Sequence, residues 1–311
     1  MGVFVFLPLV LPLTAWPIAR LAEQRLHPRR ATVLLTIVAG VLAVCSTVCL
    51  GLLMVVGTAQ LPGNPLPDAW SDEHVRAAVP FDEAAGLAAI PTLGAVVAAC
   101  ARTLWTHWRV RRRAEQAVAD MPTAVVVLPD TTPYAYALPA RHTQRGRVVV
   151  STGMLSCLNS PERRVLFAHE RAHLAGHHHR YLLTVQLAAH ANPFLKPLRK
   201  AVAYTVERWA DEEAASAVGN RKLTARAIGK AALVTRHTPT AALAHLAQPG
   251  PIPRRIHALL QPPPRNTLWP PALTPEGLAT WVAAAGTTLS TLSTTTATTT
   301  LFVILEATTP L

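Results

Sequence analysis

The stretch from Ala31 to Leu61 contains no charged residue. A helix of about 20 apolar residues crosses a bilayer, so this segment constrains the fold more than any other. Three further stretches are expected to span with it, at about 3–19, 84–105 and 278–305. The first carries Pro8, Pro12 and Pro17, and a signal peptide is the competing reading. It lacks a basic leader and a clear small-residue cleavage site, so a span is expected instead. The last is uncharged but rich in threonine, and Ser and Thr can hydrogen-bond within membrane helices. Only 15% of the 311 residues are charged, against roughly 25% in ordinary soluble domains.

The charges that remain are sorted by loop. Arg20, Arg25, Arg29 and Arg30 follow the first stretch. Asp68, Asp72, Glu73, Asp82 and Glu83 lie in the second loop, with only Arg76 against them. Arg109, Arg111, Arg112 and Arg113 follow the third stretch. By the positive-inside rule the basic loops are cytoplasmic. The expected layout is three spans over 1–107, a cytoplasmic domain over 108–275, and a fourth span with a short tail over 276–311, both termini outside. The net charge of +12 then belongs to a membrane surface. No groove-reading motif interleaves it with aromatics, so no nucleic-acid partner is expected. Cys45, Cys49, Cys100 and Cys157 form no CxxC pair and read as small packing residues.

Within the central domain, TAVVVL at 123–128, YAYAL at 134–138 and RVVVS at 147–151 have the β-branched or alternating pattern of short strands. The pattern then turns helical. Ser160 and Pro161 read as N-cap and first helical residue, opening a helix through about His178. Helices over 181–191, 198–218 with Gly219 as C-cap, and 223–234 follow. The fold class is mostly α: four transmembrane helices plus a small α+β domain with a short sheet.

His169-Glu170-Arg171-Ala172-His173 is an HExxH sequence on the expected helix. Residues four apart share a helical face, so both imidazoles can reach one zinc ion. Glu170 can hold the metal's water and act as general base. Two candidates compete for third ligand. Glu207 stands one turn before Asp211 on the next long helix; Glu207 can complete the metal shell and Asp211 can orient a metal-bound His. His179 completes the metzincin spacing HExxHxxGxxH, but that class needs a methionine turn downstream, and no methionine follows Met154. Glu207 is therefore the expected ligand. His177 falls on the ligand face of the extended helix and is a candidate substrate contact.

These motifs give the chain a family likeness. HERAH at 169–173, ERWAD at 207–211, RVVVSTGML and the YAYAL strand resemble membrane-embedded gluzincin peptidases. The likeness is nearest to the peptidase part of the beta-lactam sensor-transducers (BlaR/MecR type), with HtpX-like and CAAX-prenyl-type peptidases more distant. It covers about 121–260. The resemblance implies a zincin domain binding one Zn2+ per chain through His169, His173 and Glu207, with Glu170 as base and Asp211 behind the ligands. It implies that Tyr134, Ala135 and Tyr136 bind an extended substrate by strand addition. It also implies a multi-pass cell-membrane endopeptidase acting on a cytoplasmic or membrane-proximal protein, with a cytoplasmic repressor as one such substrate. One departure stands out: the sensor-transducers carry a penicillin-binding domain after the last span, whereas about six residues follow it here, with no SxxK motif. Direct beta-lactam acylation is not expected. A non-catalytic membrane regulator keeping a structural metal site is the alternative; the intact Glu170 argues against it.

Overall fold

The computed structural model describes residues 2–59, 61, 63, 66, 82–121, 123–139, 146–235, 251–264 and 274–308. The helices are α1 (Ala15–Arg25), α2 (Pro28–Ala59), α3 (Asp82–Ala117), α4 (Thr152–Cys157), α5 (Ser160–Ala175), α6 (His178–Ala191), α7 (Lys196–Val218), α8 (Arg221–Thr235), α9 (Ile252–Leu260) and α10 (Pro275–Thr308). The strands are β1 (Val125–Leu128), β2 (Ala135–Leu138) and β3 (Arg147–Ser151).

Two helices, Pro28–Ala59 and Ala84–Ala117, are long and apolar enough to cross a membrane. The other two expected spans do not meet that test. Around the three prolines, residues 2–14 form short 3-10 and α turns rather than one helix, since proline removes the amides that a continuous helix needs. Residues 275–308 form one continuous helix, but its threonines dilute the hydropathy. Most of the acidic second loop lies outside the described residues.

α2 and α3 meet at paired glycines. A Cβ built on Gly57 would fall 2.2 Å from the carbonyl carbon of Gly86, so only glycine admits this backbone approach. One core then joins α1 and α2 to the central domain. Leu35, Val38 and Leu42 of α2 pack with Val185 and Ala188 of α6 and with Leu198, Val202 and Val206 of α7. Thr32 Oγ1 donates to Thr205 Oγ1 at 2.9 Å, and the Asn192 amide reaches Ser46 Oγ at 3.0 Å. Residues 181–191 are therefore part of this helical core rather than a free surface helix.

The sheet order is β1-β3-β2, with β1 parallel and β2 antiparallel to β3. β2 is an edge. Ser151 N donates to Tyr134 O at 3.0 Å, so the even-numbered residues of this strand pair with β3. The alternation of an antiparallel ladder turns the amides and carbonyls of Ala135 and Ala137 to the open side.

Local signals set the helix ends with small offsets from expectation. Asn159, not Ser160, caps α5, in a capping box with Glu162; the asparagine side chain accepts from the Glu162 amide at 2.9 Å. Gly219 ends α7 in the left-handed region at φ 71°. The helix expected to run through His178 stops at Ala175, because His177 adopts φ 51°.

Candidate metal centre

α5 brings His169 and His173 to one face, and α7 crosses it with Glu207 and Asp211. The two Nε2 atoms lie 3.1 Å apart. Glu207 Oε2 is 3.6 Å from His169 Nε2, and its Oε1 is 3.6 Å from His173 Nε2. Tetrahedral ligands at ~2.0–2.1 Å from zinc stand about 3.3 Å from one another. These three donors fit that spacing. They also form the one group of potential metal ligands found among the described residues.

The outer nitrogens explain why the inner ones are free for a cation. His169 Nδ1 is 3.1 Å from Asp211 Oδ1, a close contact but too bent to be a full hydrogen bond. His173 Nδ1 is 2.9 Å from His178 Nδ1. If both Nδ1 protons face outward, toward Asp211 and His178, the two Nε2 lone pairs are left facing each other for a shared cation. Two facing lone pairs repel unless a positive charge sits between them. The donor set therefore fits a zinc ion.

Electrostatics agree. Burial opposes a charge on His169, but Asp211 and Glu207 outweigh it and raise its pKa to about 10. The site seeks positive charge. Burial lowers His173 to about 4, and burial with neighbouring His173 lowers His178 to about 2. Burial raises Glu170 to about 7, with Glu207 adding to the shift and His169 opposing it. The Ala137 backbone of β2 faces the Glu170 carboxylate and favours its charged form.

Two members of the site had no sequence signal. Arg255 on α9, a helix that sequence patterning misses, is buried at 4% exposure. Its Nε and Nη2 donate to Asp211 Oδ2 and Oδ1 at 2.7 and 2.6 Å. Its Nη1 stands 2.8 Å from Glu207 Oε2. Burial alone would raise the carboxyl pKa values of Glu207 and Asp211; the Arg255 guanidinium reverses this and holds both low. The other is His178, buried against His173 and the Trp209 ring. Gly176 makes room for it: a Cβ there would fall 2.3 Å from His178 Nε2.

Other expected contacts sit elsewhere. His177 is exposed and outside α5, so it does not share the ligand face. The left-handed turn passes that inward position to His178. His179 is not in the ligand cluster. Tyr136 packs on Val118, Val126 and Val149, and Tyr134 stacks on Tyr136 at 6.2 Å. Among the described residues, Ala135 keeps an open backbone edge.

The HExxH helix, the crossing helix with Glu207 and the edge strand β2 thus bring three potential metal ligands together beside an open sheet edge. Residues 101–196 match the family model of Peptidase family M48, a likeness confined to that stretch. The match takes in the sheet, α5 and α6 and ends at the first residue of α7, so Glu207 and Asp211 stand on geometry alone. No curated protein and no solved structure gives a significant match.

Proposed function

We propose that this protein is a membrane-bound zinc endopeptidase in which His169, His173 and Glu207 hold the metal and Glu170 is the general base. The observation that carries this reading is the convergence of three ligand atoms, all within 4.8 Å of one another, beside a buried Glu170. Zinc, when bound, supplies Lewis acidity and an acidified water. The chain's own residues do the rest. Glu170 takes a proton from that water and delivers it to the leaving amine. Asp211 orients His169, and His178 orients His173. The free edge of β2 aligns the substrate backbone as an added strand.

Two apolar helices support membrane association. On the loop charges, residues 108–275 face the cytoplasm, between the third and fourth of four spans, and the substrate is a cytoplasmic or membrane-proximal protein. Repressor cleavage in a signalling pathway is the form of this reading that the sensor-transducer likeness favours.

The test compares zinc-loaded wild type with Glu170→Gln on a reduced, unfolded protein, with zinc content measured in both. The proposal expects equal zinc and at least a hundredfold less cleavage by the variant, in line with the 10²–10⁴-fold worth of general-base catalysis. Equal cleavage by both proteins would sink it.

A further inference from the structure

Two adjacent arginines open α9, and both stand at the wrong end of it. Arg254 and Arg255 lie in its first turn, where the partial positive charge of a helix N-terminus disfavours cations. Each is compensated by a carboxylate on another element. Arg255 turns inward to Asp211 and Glu207. Arg254, about 100° away around the helix, reaches α1 instead, where its Nη1 stands 2.7 Å from Glu23 Oε1. The Arg254 guanidinium also lies over the Tyr204 ring, 4.5 Å from its centroid. Tyr204 precedes Glu207 by three residues on α7, so the two share a face.

The far end of α9 is fixed separately. Arg221 of α8 donates to the carbonyls of Ala258 and Leu259, and Leu259 packs on Ala215, Ala225 and Ile228. The first turn is tied through its two arginines. α1 is itself seated on α7. Ala15, Ile18, Ala19 and Ala22 share one helical face and join the core of Leu198, Val202 and Val206. Glu23 follows directly, with its side chain only 16% exposed. α1 also continues the stretch proposed as the first span. A chain of contacts therefore runs from that stretch through Glu23 and Arg254 to Arg255, and from Arg255 to the two carboxylates of the metal centre.

Building on the metal-centre part of the peptidase reading, we infer that Glu23 and Arg254 are positioning residues that couple α1 to the metal centre. They fix the first turn of α9, and with it the reach of Arg255 to Glu207 and Asp211. A half-exposed ion pair contributes little to overall stability. Its value here is placement, because the planar guanidinium of Arg255 grips its carboxylates with three nitrogens and that fork demands a set geometry. The coupling is reciprocal. Whatever α1 adds to zinc affinity, bound zinc adds to the hold on α1. A displacement of α1 is then felt as a change in zinc retention.

The test uses full-length protein in lipid nanodiscs, with zinc affinity read by competition with a chromogenic chelator. Glu23→Gln and Arg254→Gln should each weaken zinc retention about fivefold, near the most that a partly exposed ion pair can transmit. The double variant should also be weakened about fivefold, rather than by the roughly twenty-fivefold of independent sites, because the two residues act as one contact. Zinc should slow amide exchange over residues 18–26 of the wild type, and Glu23→Gln should abolish that slowing. A contact that only stabilises the fold would shift the unfolding temperature and leave both readouts alone. Glu23→Asp, with its shorter reach, should also weaken zinc retention and serves if a glutamine variant fails to fold. Unchanged zinc affinity in folded variants, additive losses in the double variant, or α1 exchange that ignores zinc overturns the inference. His169→Ala separates the two proposals. Zinc lost on that substitution but held at full affinity by the Glu23 and Arg254 variants removes only the coupling. Zinc affinity indifferent to His169→Ala, or no zinc bound by the wild type, removes the metal centre itself.

Discussion

Arg255 shows how much of the metal centre lies beyond the motif. It forms a two-pronged pair with Asp211 and reaches Glu207 with a third nitrogen. Removing one partner of a buried ion pair leaves uncompensated charge and costs about 3–5 kcal/mol. Here that charge would fall on the two carboxylates that the proposed site uses to bind the metal and to orient His169. Arg255→Ala should therefore weaken zinc retention 10–100-fold, the usual effect of losing an outer partner of a metal site. Competition with a chromogenic chelator reads this directly. Arg255→Lys should recover only part of it, since an ammonium cannot reproduce the planar fork; full recovery would make Arg255 a mere counter-charge. HExxH and ExxxD were readable because each is a short-range pattern whose spacing equals one helical turn. Arg255 was not, because 44 residues separate it from Asp211 and nothing local marks it. His178 escaped for a different reason. One left-handed residue, His177, rotated the histidine run by a position, and a non-glycine residue in that region has no reliable sequence signal.

At the scale of elements, capping and close approach decide the outcome. Glu162 closes the capping box of α5 and also binds Lys230 of α8 at 2.9 Å. The Asn159 amide, then Lys230, hold its carboxyl below the ordinary 4.5. A depressed folded value means that this contribution is fully present above about pH 4.5 and is lost as pH falls through the folded pKa. Thermal unfolding from pH 6 to 3 should show wild type losing stability faster than Glu162→Gln, which keeps the cap but not the charge. Parallel curves would contradict the assignment. The contact between α2 and α3 is less forgiving. Neither Gly57 nor Gly86 can gain a Cβ without moving backbone, and overpacking costs ~1–3 kcal/mol even where side chains can shift. Gly57→Val should lower the unfolding temperature in detergent and separate the helices, read as a loss of cross-linking between cysteines placed at 53 and 90. The strands were legible from β-branched runs at 125–128 and 147–151. Their order was not, because a three-strand sheet with a crossover leaves no trace in local pattern.

The whole molecule combines a partly legible membrane layout with a domain that is less separate than the loop charges imply. Two of the expected spans fall on helices long and apolar enough to cross a membrane; the proline-broken start and the threonine-rich end do not meet that test, because each mixes span and non-span signals. We propose that the exposed tryptophans mark the interface level independently. Trp16, Trp105, Trp108 and Trp281 are 46–61% exposed, and Arg20, Arg109 and Arg112 stack on the first three. With Gly57 against Gly86, a rise of 1.5 Å per residue puts Trp105 and Trp108 about level with Val38 and Leu35 of α2. The Cys49–Thr294 contact puts Trp281 about level with Thr36, and the Ser46–Pro8 bond puts Trp16 about level with Val38. Four rings on three segments thus share one plane, as an interfacial belt does. Asn192, bound to Ser46, then lies about 12 Å to the apolar side of that plane, while Thr205, bound to Thr32, lies about 8 Å to the other side, near Glu207. The metal centre would sit just above the headgroups, with the turn between α6 and α7 dipping into the bilayer. Variants keeping a single tryptophan, reconstituted with lipids brominated at shallow or deep acyl positions, test this. The four belt residues should be quenched more by shallow than by deep bromines. Trp209, buried beside His178, should be quenched by neither. A cysteine at Phe194, half-exposed on that turn, should carry an environment-sensitive dye with the blue-shifted emission of a lipid setting. Water-like emission there, with belt quenching intact, would keep the plane but lift the α6–α7 turn out of the bilayer. Loss of the shallow preference would remove the plane itself.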